Sequence, residues 1–250
     1  MKILLLDIET APNKVYTWGL WKQNIALNQI KEPGYTLCWA AKWFEKPKVS
    51  FRSIHHHGKE EMLRGIYDLL DEADVVLTFN GLSFDIPILS QEFLVMGWSP
   101  PSPSLHIDLL QVVKKRFRLL SNKLEYVLTF LGMEGKVKHE GFQMWLDCMA
   151  GDEKAWVMMK KYNIGDVKKM EPLYGRLLPW ITNHPNHGLF MDGDEIRCPN
   201  CGSTRLHKRG KAYTATMSYQ RYRCVGCGSW SKSRVNDLEK ETRKRIVKGM

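Results

Sequence analysis

Two carboxylates near the start of the chain are placed where they could bind a metal ion. Asp7 and Glu9 flank Ile8, directly after the apolar run of residues 3–6. Alternate residues of a strand project from the same face, so the two carboxylates converge while Ile8 returns to the core. Two acids beside a buried strand are costly unless a cation neutralises them. The pattern therefore favours metal ligands, and a strand end with two solvated acids is the alternative.

Two further segments carry acids at chemically suggestive positions. In residues 78–85, Gly81 allows a tight loop, and Asp85 would begin a helix, where the dipole favours a carboxylate. Tyr162 and Asp166 are spaced so that they share one face of a helix. Alone, Asp85 also fits an ordinary helix start, and the Tyr–Asp spacing is common by chance. The three segments become informative only in combination.

Four cysteines near the C-terminus have the spacing of a zinc site. They form two Cys-x-x-Cys pairs separated by 22 residues, and each pair is followed by a glycine. Four thiolates suit tetrahedral Zn²⁺, and a closed shell of four leaves no open position for catalysis. The sequence thus predicts one structural Zn²⁺, with Cys198, Cys201, Cys224 and Cys227 as its ligands.

The other two cysteines, Cys38 and Cys148, are isolated among apolar residues. Buried free thiols are the expected state of such residues. This cysteine usage indicates a reducing compartment rather than a disulfide scaffold, and the expected location is the cytoplasm. The opening apolar run is too short for a secretory signal, and no stretch approaches the ~20 apolar residues that span a bilayer, so no membrane partner is expected.

Basic residues are concentrated at the C-terminal end. The net charge is +10, but residues 1–193 carry 23 Lys/Arg against 22 Asp/Glu, whereas residues 194–250 carry 14 against 5. Residues 196–236 have nine Lys/Arg and no carboxylate, interleaved with Tyr213, Tyr219, Tyr222 and Trp230. Such a mixture suits phosphate contacts and base stacking, so nucleic acid is the predicted partner. A ribbon that docks a protein partner is the competing interpretation.

Hydrophobic periodicity indicates the elements that must position these residues. Strands are predicted at residues 3–7, 35–44, 49–54, 75–78 and 105–109, and helices at 59–73, 84–96, 110–118, 121–132 and 152–171. Residues 97–104 are predicted to be a loop. This order predicts a mixed α/β layer architecture. The predicted divisions are a catalytic domain over 1–178, a linker over 179–195, a zinc ribbon over 196–236 and a charged tail over 237–250.

Taken in order, the three acidic segments resemble the motifs of the DEDD (DnaQ-like) exonuclease superfamily. Asp7, Glu9 and Thr10 match its Asp-x-Glu-Thr motif, residues 80–85 match Asn-x-x-x-Phe-Asp, and residues 162–166 match Tyr-x-x-x-Asp. The Tyr subclass is favoured because the alternative form would place histidine where Lys161 stands. The resemblance covers roughly residues 1–178 and is strongest to proofreading domains of family-B DNA polymerases and their stand-alone relatives.

The resemblance implies an RNase H-like mixed sheet flanked by helices and a 3'→5' exonuclease that uses two Mg²⁺ (or Mn²⁺) ions. By resemblance, Asp7 would bridge the ions, with Glu9 and Asp166 on one ion and Asp85 on the other. Tyr162 would orient the attacking water. The residues expected to hold the terminal nucleotide are Thr10, Asn80 and Phe84. Asp108, a further acid nearby, is expected to cap a helix or end a strand rather than bind metal.

DNA is the expected substrate ahead of RNA. Two alternatives remain open: an exoribonuclease with the same chemistry, and a non-catalytic nucleic-acid-binding or scaffold protein on the same fold. Every position of the three motifs is filled, which argues against a silent domain.

Overall fold

The structure, a computed structural model, describes residues 1–135 and 141–248. The chain divides into two compact units, one formed by Lys2–Leu173 and the other by the segment that begins at Tyr174. None of the described helices is both long enough and apolar enough to cross a membrane.

A five-stranded mixed sheet forms the centre of the first unit. Its order is β5-β4-β1-β6-β7, and β1 runs antiparallel to β4 and parallel to β6. The bounds are β1 Ile3–Thr10, β4 Thr36–Trp43, β5 Val49–Ser53, β6 Val75–Thr78 and β7 Leu105–Asp108. A short two-stranded sheet, β2 Lys14–Val15 and β3 Ile30–Glu32, precedes β4. Strand β1 lies at the centre of a sheet that helices cover, so both of its faces are buried, which explains its apolar start.

Helices cover both faces of this sheet. On one face, Leu4, Leu6 and Ile8 of β1 pack against α2 and α3. On the other face, Leu37 and Cys38 of β4 pack against α6 and α7. The helices of the unit are α1 Ile54–His57, α2 Lys59–Glu72, α3 Asp85–Val95, α4 Leu109–Arg116, α5 Leu124–Phe130, α6 Gln143–Ala150 and α7 Glu153–Leu177. The predicted mixed α/β architecture is confirmed.

The structure corrects three details of the prediction. Helix α6, over Gln143–Ala150, was not predicted. Helix α5 begins only at Leu124 rather than at residue 121. Helix α7 continues to Leu177 although Pro172 lies inside it, whereas the prediction stopped at residue 171. Proline fits helical φ and removes only one hydrogen bond, so the turns on either side can still pack.

Both isolated cysteines are buried, as predicted. Burial raises the pKa of the Cys148 thiol to about 12, so this residue stays protonated and unreactive at neutral pH. The predicted loop over residues 97–104 is also confirmed.

The second unit contains a three-stranded antiparallel sheet in the order β10-β9-β8. Its elements are β8 Leu206–Tyr213, β9 Ser218–Cys224, β10 Trp230–Asn236 and α8 Lys240–Arg245. His184, in the segment 179–195, is buried, and its Nε2 lies 2.6 Å from the Tyr174 hydroxyl. Over 196–236 the buried apolar side chains are Cys198, Tyr222 and Cys224. So small an apolar core is typical of a fold that depends on a metal.

Candidate active site and cysteine site

Strand β1 presents Asp7 and Glu9 to a cleft of about 560 Å³. Both side chains are half-buried, whereas Ile8 between them is packed in the core on the opposite face. The predicted convergence of the two carboxylates is therefore present. It follows from the alternation of side chains along the strand.

The loop after β6 is shaped by a close approach of backbone to side chain. A Cβ atom on Gly81 would lie 2.5 Å from the Thr78 side chain, so only glycine fits there. Asn80 adopts a φ of 77°, a left-handed conformation that asparagine tolerates better than most residues. This tight turn allows Asp85 to become the first residue of α3, as predicted.

Asp85 is buried beneath the cleft, with 3% of its surface exposed. Its Oδ1 accepts a hydrogen bond of 2.9 Å from the backbone N–H of Ile8, which fixes it beside β1. Burial raises the pKa of the Asp85 carboxyl to about 7. A bound cation would reverse this effect by stabilising the ionised form. The buried carboxyl thus suits a metal ligand.

Helix α7 supplies Tyr162 and Asp166, and both line the same cleft. The predicted sharing of one helix face is confirmed. The next residue, Asn163, is fully buried and was not singled out from the sequence. Its side-chain N–H group donates to Asp7 Oδ2 at 2.7 Å and to the Asp7 backbone carbonyl at 3.2 Å. Asn163 therefore links α7 to the strand that carries Asp7 and Glu9.

The structure brings together most of the predicted site residues and adds others. The cleft is lined by Asp7, Ile8, Glu9, Phe79, Asn80, Phe84, Asp85, Leu110, Lys114, Asn122, Lys123, Leu124, Glu125, Tyr162 and Asp166. Thr10 is the last residue of β1 and does not line the cleft. Among the additions, the buried Oδ1 of Asn122 has no hydrogen-bond partner in the part of the chain that the structure describes. An unsatisfied buried acceptor is a good candidate for a substrate contact.

Asp108 has the capping role predicted for it. It precedes α4, and its carboxylate accepts from the backbone N–H groups of Leu110 and Gln111. The same carboxylate accepts from Asn80 N at 2.9 Å and from Leu82 N at 3.4 Å. Asp108 therefore holds the turn before Asp85 and does not belong to the residues that line the cleft.

The four C-terminal cysteines converge. Their sulfur atoms all lie within 4.8 Å of one another. The Cys198–Cys227 and Cys201–Cys224 Sγ distances are both 3.6 Å. A tetrahedral ion with Zn–S bonds of about 2.3 Å would hold its sulfurs about 3.8 Å apart, so the spacing is compatible with zinc. In the free thiols, burial raises the pKa of Cys198 and Cys201, and bound metal would have to displace their protons.

The two cysteine turns have the same backbone hydrogen bonds. In the first turn, Cys198 N donates to Ser203 O and Gly202 N donates to Cys198 O. In the second turn, residues 224, 228 and 229 repeat this pattern at the same spacings. Gly202 and Gly228 both adopt positive φ, 72° and 80°, which explains the glycine after each pair.

One face of the C-terminal sheet is basic and aromatic. The Arg221 and Arg223 guanidinium carbons lie 5.0 and 6.0 Å from the centre of the Trp230 ring. Lys232 Nζ lies 4.3 Å from the centre of the Tyr219 ring. Strand pairing places Arg223 opposite Trp230 and Arg221 opposite Lys232, so these side chains share one face. We call these five residues the basic face.

Comparison with solved structures finds proteins of similar fold. A family B DNA polymerase from the hyperthermophilic archaeon Pyrobaculum calidifontis is similar in structure, with a TM-score of 0.55 and 17% sequence identity. The match covers 71% of this chain and 24% of the polymerase, so the chain spans about a quarter of that protein. At this identity the likeness shows a shared fold. No curated protein matches the sequence significantly.

A family model gives the assignment. The RNase_H_2 model, of the RNase H superfamily, matches residues 4–178, which is most of the chain and includes every acidic segment of the cleft. The mixed sheet with helices on both faces is accordingly RNase H-like, as predicted. The chain belongs to the RNase_H_2 family of the RNase H superfamily.

Proposed function

We propose that this protein is a metal-dependent 3'→5' exonuclease of the DEDD superfamily, Tyr subclass, acting on DNA in preference to RNA. One observation carries the proposal. Acids from β1, α3 and α7, which are remote in sequence, line one cleft together with a tyrosine. Those acids are Asp7, Glu9, Asp85 and Asp166.

The four carboxylates would hold two Mg²⁺ or Mn²⁺ ions. The donor set is suitable because it consists of hard oxygen atoms, which these ions prefer, and the described lining contains no histidine or cysteine. The raised pKa of Asp85 supports the same assignment, since a nearby cation would stabilise the ionised form of this buried carboxyl. When bound, two such ions stabilise the attacking and the leaving oxygens of a phosphodiester.

The protein's own residues would prepare the substrate for attack. Asn163 fixes the orientation of Asp7 through its hydrogen bond of 2.7 Å. The Tyr162 hydroxyl would orient the attacking water rather than deprotonate it, because the reference pKa of tyrosine, about 10, makes it a poor base at neutral pH. Lys114 and Lys123 line the cleft and would contact phosphates.

The terminal nucleotide would be held by side chains at the cleft wall. Phe84 is partly exposed and lines the cleft, where a base could stack on it. Asn80 and Asn122 line the same cleft and offer amide groups to the base or sugar. A volume of about 560 Å³ is within the range of small-ligand sites, which favours one strand end over an intact duplex. The predicted role of Thr10 in this contact stays a prediction.

The C-terminal unit would hold one structural Zn²⁺ on its four cysteines and grip nucleic acid through the basic face. The support is the matching geometry of the two cysteine turns and the placement of Arg221, Arg223 and Lys232 over aromatic rings. Such cation–aromatic surfaces suit single strands, because bases stack and phosphates are neutralised at the same place.

The activity is tested with end-labelled strands in the presence of Mg²⁺. Single-stranded DNA, duplex DNA and RNA are compared, each with a free 3' end and with a 3' end blocked by an inverted nucleotide. We expect progressive shortening from the 3' end with release of mononucleotides, and almost none on blocked strands. Degradation of blocked strands at an unchanged rate would contradict the polarity. Faster digestion of RNA than of DNA would replace the proposed substrate with RNA.

The role of the basic face is tested by the salt dependence of DNA binding. The double variant Arg223→Gln/Lys232→Gln removes two charges from this face, and Lys240→Gln/Lys248→Gln removes two exposed charges outside it. Each lost phosphate contact on a single strand lowers the slope of log K against log salt by about 0.7, so we expect a drop of about 1.4 for the first variant only. If both variants keep the wild-type slope, the protein-docking interpretation of the ribbon is favoured.

A further inference from the structure

A third group of potential metal ligands lies outside the cleft and outside the cysteine site. It consists of His55, His56 and Glu153, whose ligand atoms lie within 4.8 Å of one another. His55 Nε2 is 2.7 Å from one Glu153 carboxylate oxygen, and His56 Nε2 is 3.6 Å from the other. Both imidazoles are therefore directed at a single carboxylate.

The fold creates this group from two distant segments of the first unit. The two histidines occupy α1, the single helical turn that follows β5, and Glu153 is the first residue of α7. From the sequence alone, the run of three histidines at residues 55–57 could bind metal, but such a run is more often a solvated turn. Nothing in the local sequence indicates the carboxylate that the fold brings to it.

The two imidazole rings are held in place by neighbouring side chains. Nδ1 of His56 lies 2.7 Å from the Ser53 hydroxyl oxygen, so a proton on Nδ1 leaves Nε2 directed at Glu153 as an acceptor. The ring of His55 stacks on Trp156 at 5.4 Å with an interplanar angle of 11°. Nearly all metal-binding histidines have a hydrogen-bond partner on the second ring nitrogen, as His56 has in Ser53. This partner fixes the tautomer and the ring orientation.

We propose that His55, His56 and Glu153 bind one divalent transition-metal ion of the Zn²⁺ or Ni²⁺ class. Two imidazoles and a carboxylate match the preferences of these ions, whereas Mg²⁺ and Ca²⁺ prefer oxygen atoms alone. Three protein ligands leave the remaining coordination positions to water. This site is independent of the proposed nuclease function.

A simple ion pair explains the arrangement less well. Glu153 is well exposed, with 69% of its side chain accessible, and exposed ion pairs contribute little to stability. A pair would also need only one histidine. An ion bound by all three groups would explain why a second imidazole is directed at Glu153 and held by Ser53.

The proposed ion would connect α1 to the start of the helix that serves the cleft. Trp156, under the His55 ring, is buried and packs in the same cluster as Met159 and Tyr162. Bound metal would therefore fix the N-terminal part of α7 against β5 and α1. Since the ion binds only the folded arrangement, it raises the apparent stability of the first unit.

The test is a calorimetric titration of Ni²⁺ into the full-length protein that carries one equivalent of Zn²⁺, the amount that the four cysteines would take up. We compare the wild type with His56→Ala, Glu153→Gln and Ser53→Ala, and use His57→Ala as the matched control. The wild type should bind one equivalent that His56→Ala and Glu153→Gln lose. Ser53→Ala should bind about 10- to 100-fold more weakly, the usual effect of removing an outer partner of a ligand. His57→Ala should match the wild type within about twofold.

Thermal unfolding distinguishes a lost site from a misfolded variant. Without added Ni²⁺, Glu153→Gln should unfold at the wild-type temperature, because its side chain is exposed. With Ni²⁺, the wild type and His57→Ala should unfold at a higher temperature than His56→Ala and Glu153→Gln. The proposal is overturned if wild type and Glu153→Gln bind the same number of ions. It is also overturned if His57→Ala weakens binding as much as His56→Ala, which would indicate an unspecific histidine run.

Discussion

The acidic cleft and the cysteine site collect their ligands in opposite ways. The cleft takes its carboxylates from β1, α3 and α7, which the sheet and its helices bring together. The cysteine site takes its thiols from two turns of four residues each, with the same hydrogen bonds in both. The first site depends on the global fold for its geometry, whereas each half of the second is defined locally.

The two sites also differ in the size of the apolar core around them. The cleft lies on a sheet whose two faces are packed with large apolar side chains. Across the described residues of the ribbon, Cys198, Tyr222 and Cys224 are the buried apolar side chains. The cleft should thus keep its structure without metal and lose activity, while the ribbon should lose its structure.

The largest effect is expected from removing a cysteine ligand. Cys201→Ser should release the proposed zinc and unfold the ribbon, since metal binding contributes on the order of 10 kcal/mol to folding in small zinc domains. Zinc content by mass spectrometry and protease sensitivity of residues 196–236 measure this. Cys148→Ser, which changes a buried cysteine outside the site, is the control and should retain the zinc content of the wild type. A Cys201→Ser protein with full zinc content would contradict the assignment.

Asp85→Asn should separate stability from activity within the cleft. The raised pKa, about 7 against an ordinary 3.8, means that ionising this carboxyl costs stability in the metal-free protein. The cost is absent below about pH 4, grows as the pH rises and is complete above about pH 7. The metal-free variant should therefore be more stable than wild type above pH 7, by roughly 2–4 kcal/mol, and equal to it near pH 4.

The same variant should lose Mg²⁺-dependent activity, because a neutral amide is a poor ligand for Mg²⁺. Denaturant unfolding in chelator at several pH values, with activity assays in parallel, tests both halves. A metal-free variant no more stable than wild type at pH 8 would contradict the claim that ionisation of the buried Asp85 carboxyl lowers the folding stability of the wild type.

Tyr162→Phe should slow hydrolysis by roughly one to three powers of ten and leave some activity. The hydroxyl is assigned to orienting water, while the metal site supplies most of the stabilisation of charge. Turnover at saturating substrate is the measurement. Activity as low as that of a variant lacking Asp7 would show that the tyrosine does more than orient.

Asn163→Ala should lower turnover by about 10- to 100-fold, the usual effect of losing a partner that orients a ligand. Asn163 is a positioning residue, so the loss should fall mainly on kcat and on the Mg²⁺ concentration for half-maximal activity, with little change in KM. A Mg²⁺ titration of activity compares it with Asn186→Ala, whose side chain caps a 3₁₀ turn in the other unit. An unchanged Mg²⁺ requirement would contradict the role given to Asn163.

Much of the cleft was predictable because its residues lie at the ends of strongly patterned elements. The start of β1, the turn before Asp85 and the helical spacing of Tyr162 and Asp166 each have a local physical cause. Strands β4, β5 and β6 were likewise predicted within about one residue, since continuous apolar runs bounded by turns mark buried strands. The cysteine pairs were the most direct signal, because the spacing itself specifies the turn.

The remainder depends on contacts that no local pattern encodes. Asn163 is one polar residue among many on α7, and only the packing of α7 on β1 shows that it holds Asp7. Glu153 meets the histidines of α1 for the same reason. Helix α6 is short, and its neighbouring residues 136–140 lie outside the described part of the chain. Thr10 illustrates the reverse case, since a motif match does not by itself place a side chain in a cleft.

The central claim is that carboxylates from three segments form one metal-dependent catalytic site. It is tested most directly by the Mg²⁺-dependent hydrolysis rate of Asp7→Ala beside Asp68→Ala, which removes an exposed acid from α2. We expect Asp7→Ala to lose at least about 10³-fold in rate, or about 4 kcal/mol, while remaining folded, and Asp68→Ala to match the wild type. A folded Asp7→Ala protein that retains a near wild-type rate would contradict the claim.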